Sequence, residues 1–386
     1  ARLRCSASRL LVVLFYTAVI IAVPLVVYDF YSHGAEDHKI AWFVGGVFVL
    51  LSLPISVYEV YQHLTHFQQP ELQTYVVRIL WMVPVYGIES WFSLRFFSVS
   101  IYMATLREWY EAYVIYCFLY FLIAYMGGEE ELIRKLATKP WRKGKHLFPL
   151  CCMRPWAMGK EFLMKCKAGT LQYVVAKCVT SIVTFVCQSA GVYDDGVFDW
   201  TKGYVYCTIV NNISQTWALY CLILFYQATA DDLAPIKPLA KFTVVKAVVF
   251  FSWWQGVALA ILVKVGVIHD TKLYSSDELA KGLQDFIICI EMFIAAIAHK
   301  FAFPYQDFSS DVDEQTHFVK SFIDSSVPFD IIHDVQHTVT GRYSRVTRRT
   351  DSSPGNGSPS AVPSDHDEEM RLARERAELH ASFENS

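Results

Sequence analysis

The chain has 386 residues, 54% of them hydrophobic, 15% aromatic and only 18% charged, against roughly 25% charged in an average soluble domain. That composition argues against a soluble protein. Its 34 basic and 37 acidic residues give a net charge of −3, which excludes the overall basic excess expected of a nucleic-acid-binding protein.

A helix that crosses a bilayer needs about 20 mostly apolar residues. Eight runs meet or approach this in chain order: Leu10–Tyr28, Ile40–Tyr58, Ile79–Phe97 with Glu89 and Arg95 inside it, Ala112–Gly128, Leu171–Tyr193 with Lys177, Gly203–Ala230, Phe242–Ile268 with Lys246 and Lys264, and Leu279–Phe303 with Lys281, Asp285 and Glu291. The expected fold class is therefore all-α, a multi-pass membrane helical bundle. Three segments follow: a basic N-terminus over 1–9, a transmembrane domain over 10–303, and a tail over 304–386. Pro24, Pro54 and Pro84 fall inside the first three runs, where kinks are the ordinary consequence. The first run also has the Arg-rich start of a secretory signal, but no small-x-small cleavage site follows it, so a retained helix is the preferred reading.

Cytoplasmic loops collect Lys and Arg. The long loop at 129–170 is the most basic, with ten Lys/Arg against four Glu over 129–167, and Arg2, Arg4 and Arg9 precede the first run without an acid. The loops around Asp29–Lys39, Asp194–Lys202 and Asp270–Glu278 are net acidic. This alternation fits eight spans with both termini cytoplasmic. The tail is polar and rich in Ser, Pro and Gly from Ser352 to Ser364, a composition that reads as disordered; Phe318–Val339 fits an amphipathic segment and Met370–His380 a short charged helix.

The catalytic signatures HExxH, GxGxxG, Walker A and GxSxG are all missing, so no enzyme activity, catalytic residue or cofactor is expected. His63 and His66 have metal-like spacing but no Cys, Asp or Glu cluster beside them, and read as interfacial polar residues; no metal site is expected. The sequons at Asn212 and Asn356 fall in a span and in the cytoplasmic tail, and should be silent. Six of the ten cysteines lie in apolar runs as small packing residues. Cys151 and Cys152 lie in the basic loop, where S-acylation and two plain thiols are equally open readings.

Ionisable and strongly polar residues inside spans are the best functional pointers in a membrane protein. They are Glu89 in the third run, Asn211, Asn212 and Gln215 in the sixth, and Gln284 and Glu291 in the eighth. Arg78 lies eleven residues from Glu89, about 16 Å along a helix, so Glu89 needs a partner on another helix or stays protonated. Two readings stand. One is packing through interhelical hydrogen bonds, at about 0.6 kcal/mol each; the other is a polar site for a solute or coupling ion. The amides alone fit packing, whereas two carboxylates at similar depth fit either. Lys177, Lys246 and Lys264 sit near span ends and are expected to snorkel.

With these segments placed, several stretches are similar to a known family: Tyr110-Glu111-Ala112-Tyr113, Gly127-Gly128-Glu129-Glu130, Cys151-Cys152, Leu171-Gln172-Tyr173 and Gly191-Val192-Tyr193-Asp194. They follow the pattern of the organic solute transporter alpha and transmembrane-protein-184 family. Arg78-Ile79-Leu80-Trp81-Met82-Val83-Pro84, Asn211-Asn212-Ile213-Ser214-Gln215 and Gly282-Leu283-Gln284-Asp285-Phe286 through Cys289-Ile290-Glu291-Met292-Phe293 resemble the second branch, most of all its C-type subgroup. The resemblance covers residues 10–305. It implies a seven-helix core plus an additional N-terminal transmembrane helix, and lipid on Cys151 and Cys152. The transporter-alpha branch carries steroid conjugates and bile acids with a single-span partner, whereas members of the second branch are associated with membrane trafficking and cell growth. The function this implies is facilitative transport of amphipathic organic anions or lipid-like solutes, with a non-transporting receptor or a trafficking and growth-regulatory scaffold as the alternative. Expected partners are membrane lipids, a small organic solute and either a single-span subunit or a second copy of the chain, without nucleic acid. The expected location is the plasma membrane or an endosomal or vacuolar membrane.

Overall fold

The computed structural model describes residues 16–17, 19, 21–29, 31–32, 37–139, 143–144, 146, 154–193, 199–270, 274–308, 321–322 and 325. The chain divides into Ala1–Thr316 and His317–Ser386. In the second unit Ser321, Phe322 and Ser325 are helical, and Ser325 Oγ donates to the Phe322 carbonyl at 3.1 Å. Cys151, Cys152, the Asn356 sequon, Met370–His380 and most of Phe318–Val339 lie outside the described residues, as does much of the first expected span; within that span residues 21–28 are helical.

From residue 37 onward nine helices of eleven residues or more are described: α1 Asp37–Thr65, α2 Pro70–Leu80, α3 Met82–Arg95, α4 Ser100–Tyr125, α5 Gly128–Thr138, α6 Lys160–Ser189, α7 Gly203–Leu233, α8 Pro238–Lys264 and α9 Ser276–Ala302. Two-residue strands β1 (Lys143–Gly144) and β2 (Trp156–Ala157) pair antiparallel in the basic loop. Every expected run from the second to the eighth has a helical counterpart. Two boundaries move. The third run begins at Pro70 and is jointed at Trp81, which keeps right-handed helical angles (φ −63°, ψ −13°) between α2 and α3. The fourth begins at Ser100 rather than Ala112, which draws Arg107, Glu108 and Glu111 into the helix.

By length and composition four described helical stretches suit a membrane crossing: His38–Thr65, Lys160–Ser189, Pro238–Lys264 and Ser276–Phe308. The pair Phe97–Tyr125 and Gly128–Thr138, bent by 71°, makes a fifth if taken as one broken span. α7 is long enough at 31 residues, but Asn211, Asn212 and Gln215 interrupt its apolar run. The 71° bend has a local cause: Gly127 and Gly128 adopt φ of +93° and +85°, a left-handed turn that glycine makes without a Cβ clash. Glu129, Glu130 and Glu131 then fill the first turn of α5, where the helix dipole favours negative charge. α9 starts on a capping box in which Ser275 Oγ accepts the Glu278 N–H at 3.3 Å and Glu278 Oε2 accepts the Ser275 N–H at 2.9 Å. Just before it, Asp270 accepts the Ser276 N–H at 2.7 Å, which holds this exposed carboxyl below its ordinary range.

α9 packs against α1, α3 and α8, while α4 packs against α2, α3 and α6, and α6 against α7. The α6–α7 contact is close because Gly169 has no side chain: a Cβ there would lie 2.4 Å from Cys221 Sγ. Small residues let membrane helices approach in this way. The bundle buries charged and polar side chains within an apolar core and turns large apolar side chains outward. Ile182, Val186, Ile213, Phe250 and Ile294 point outward, while Glu89, Asp285, Lys177 and Ser214 are buried. Such a surface suits lipid, since a large continuous apolar exterior is unfavourable in water. Among the described residues the cysteines, from Cys117 to Cys289, form no disulfide bond with one another.

Candidate functional site

The site is built outward from α4. In a helix, Arg107 and Glu111 share a face at i and i+4, and Glu108 projects about 100° away from Arg107. Arg107 Nη1 donates to Glu89 Oε2 on α3 at 2.7 Å and lies 3.8 Å from Asp285 Oδ1 on α9. Ser90 Oγ and Ser93 Oγ each donate to Glu89 at 3.1 Å. The guanidinium stands over the Tyr86 ring, 5.8 Å from its centroid. Glu108 accepts from Lys177 on α6 at 2.7 Å. Glu111 accepts from Lys246 on α8 at 2.8 Å and from Gln215 Nε2 on α7 at 3.0 Å. Three charges on one helix thus tie it to five others.

The set has three cations (Arg107, Lys177, Lys246) and four carboxylates (Glu89, Glu108, Glu111, Asp285), so the fully ionised network carries 3 − 4 = −1. In a low-dielectric interior a charge is tolerated only with a partner. Exchanging one anion for another on the same cation keeps that balance, whereas removing an anion does not. This is the chemistry available to the site.

Beside it, α6 and α7 flank an open groove of about 330 Å³ lined by Gln172, Ala176, Val210, Ile213, Ser214 and Trp217. Ser214 Oγ donates to Gln172 Oε1 at 2.7 Å, and Gln172 Nε2 donates to the Ser214 carbonyl at 2.9 Å, so the polar part of the lining is satisfied. Ser214 faces this groove while its neighbour Gln215 bonds Glu111, which links the groove to the charge network. At one end, Trp217 stacks on Tyr220, and His146 Nδ1 lies 2.9 Å from the Tyr220 hydroxyl. His146 Nε2 also lies 3.2 Å from the Arg154 carbonyl, so His146 joins Arg154 to Tyr220 of α7.

The residues singled out from the sequence separate into groups. Glu89 has its partner on another helix, Arg107. Asn211 Oδ1 accepts from Thr180 Oγ1 at 2.8 Å and Gln215 joins Glu111, but Asn212 is exposed and donates to the Thr208 carbonyl of its own helix at 2.8 Å. Gln284 and Glu291 belong to the α8–α9 seam instead: Gln284 Nε2 donates to the Ser252 carbonyl at 2.9 Å, and Gln255 Nε2 donates to Glu291 Oε1. Lys177 and Lys246 are not snorkelling; both turn inward to carboxylates. Lys264 is exposed. His63 is buried rather than interfacial, its Nε2 2.9 Å from the Phe303 carbonyl, and among the described residues no His, Cys, Asp and Glu cluster could hold a metal ion. Arg107, Glu108, Glu111, Asp285 and Gln172 were not among the sequence candidates. The signal for the first three was the spacing Arg107-Glu108-x-x-Glu111 directly before an apolar run, which a helix begun earlier would have brought inside.

No solved structure matches the chain. Protein LAZ1 of Arabidopsis thaliana is 41% identical over 281 residues, covering 68% of this chain and 58% of that relative. The match therefore spans little more than half of LAZ1's length. The family model described as organic solute transporter Ostalpha matches residues 41–308, from within α1 to beyond the end of α9, and the chain belongs to that family.

Proposed function

We propose that this protein is a facilitative carrier of amphipathic organic anions or lipid-like solutes. The observation that carries the reading is the adjacency of an apolar groove to a paired charge network, joined through Ser214 and Gln215. The groove suits the body of an amphipathic solute. Its anionic group would reach Lys246 or Lys177 and replace a carboxylate as partner, so that no charge is stripped bare during passage. No phosphate-binding motif is present in the sequence to drive transport with a nucleotide, and flux then follows the solute gradient.

The same reading includes cytoplasmic termini, acyl chains on Cys151 and Cys152, and either a single-span subunit or a second copy as partner. The acylation rests on the basic loop, whose cations are drawn to an anionic leaflet at about 1 kcal/mol each near the surface. Acyl-exchange mass-tagging tests it: a mass shift in the wild type should be absent from Cys151→Ser with Cys152→Ser.

The groove is tested by filling it. Ala176→Trp should abolish uptake of a radiolabelled steroid sulfate by proteoliposomes while leaving the unfolding temperature within a few degrees of wild type. Undiminished uptake by a folded Ala176→Trp variant would remove the groove from the pathway. Binding of the sulfate without flux in the wild type would favour a receptor.

A further inference from the structure

The α8–α9 seam holds a pair of side chains that the charge network does not use. Gln255 lies nine residues before the end of α8 at Lys264, about 14 Å along the helix, and Glu291 lies eleven residues before the end of α9 at Ala302, about 16 Å. Both are thus near mid-depth in a hydrocarbon core about 30 Å thick. Gln255 Nε2 donates to Glu291 Oε1. The other two oxygens, Gln255 Oε1 and Glu291 Oε2, are each buried and have no hydrogen-bond partner.

An ionised carboxylate is an acceptor at both oxygens, and an amide carbonyl is an acceptor too. Two buried acceptors without a donor, on planar groups already joined by one hydrogen bond, are costly in lipid. A single proton on Glu291 Oε2, donated to Gln255 Oε1, satisfies both and closes a two-bond ring between acid and amide. The cations of these elements are engaged or placed elsewhere: Lys281 of α9 stands over the Phe97 ring, Lys264 ends α8, and Lys39 lies in the first turn of α1. Among the charged residues on the elements packed around α9, Lys246 of α8 is paired with Glu111, Lys241 of α8 with Asp307, and Lys300 of α9 itself with Glu59 of α1. Glu89 of α3 and Asp285 of α9 are held by Arg107, Arg95 of α3 stands over the Trp42 and Phe96 rings, and His299 of α9 is bonded to the Ala295 carbonyl. Among the described residues Glu291 has no ion-pair partner.

We propose that Glu291 is a proton-binding site: a neutral carboxylic acid at neutral pH, closed onto Gln255. The site stands apart from the charge network and does not depend on the carrier reading.

The test is isotope-edited infrared spectroscopy on the full chain in nanodiscs at neutral pH, with glutamate labelled by carbon-13. The expected result is a protonated-carboxyl band that shifts with the label, shifts in D₂O, and is lost in Glu291→Gln. That variant reproduces both hydrogen bonds with its own amide, so it should fold and unfold at wild-type temperature or above. Absence of a labelled protonated-carboxyl band in the wild type overturns the proposal without reference to any variant. So does a rise in unfolding temperature with sodium chloride over choline chloride that disappears in Glu291→Gln, because the two oxygens would then hold a metal cation.

Discussion

Arg107 on α4 meets Glu89 on α3 at 2.7 Å, and the same guanidinium lies 3.8 Å from Asp285 on α9. One cation therefore serves two carboxylates from two other helices. Removing Arg107 should strand both acids. Arg107→Met is expected to destabilise the bundle by about 3–5 kcal/mol, the usual cost of breaking a buried pair from one side. Adding Glu89→Gln should restore much of that loss, and unfolding in detergent followed by circular dichroism measures both. Equal losses in the single and double variants would show that the pair is not coupled.

The close approach of α6 and α7 depends on Gly169. A Cβ at that position meets Cys221 Sγ at 2.4 Å and Trp217 Nε1 at 3.3 Å. Gly169→Leu should cost about 1–3 kcal/mol by overpacking. Gly169→Ala should cost less and be partly rescued by Cys221→Ala, which removes the sulfur. The unfolding temperatures of the three variants give the answer, and a rescue of zero would place the strain elsewhere.

Asp270 gives a pH signature outside the membrane. Its carboxylate accepts the Ser276 N–H at 2.7 Å and is held below its ordinary value of about 4. A lowered folded value means that the contact is fully present at neutral pH and is lost as the pH falls through that lower value. Exchange of the Ser276 amide with D₂O, corrected for its intrinsic rate, should be slow and flat from neutral pH down, then quicken in the acid range. Asp270→Asn should remove the acid-range change.

Much of the fold was legible because lipid imposes a simple rule. A span must be long, apolar and helical, and each run from Ile40 onward contains a helix. The same rule hid the start of α4, since Arg107, Glu108 and Glu111 look like loop residues when charge is taken to end a span. Glu89 could be seen to need a partner, but which helix supplies it depends on packing between segments distant in sequence. Lys177 and Lys246 were misread for a related reason: sequence gives a lysine's depth along a helix, and only the neighbours decide whether it turns outward to water or inward to a carboxylate. The groove was invisible because Gln172 and Ser214, 42 residues apart, become a pair only when α6 packs on α7.

The most direct measurement of the carrier proposal is uptake of radiolabelled steroid sulfate into proteoliposomes containing the purified chain, with the solute concentration varied. Saturable uptake that follows the imposed gradient in either direction, and that falls at least tenfold in Lys246→Met, is the expected result. Lys246→Met with Glu111→Gln should recover the unfolding temperature without recovering uptake, since the cation would still be missing. Uptake no greater than in protein-free liposomes, across the concentration range and in both directions, would contradict the carrier and leave the buried charges as the ties of a receptor or scaffold.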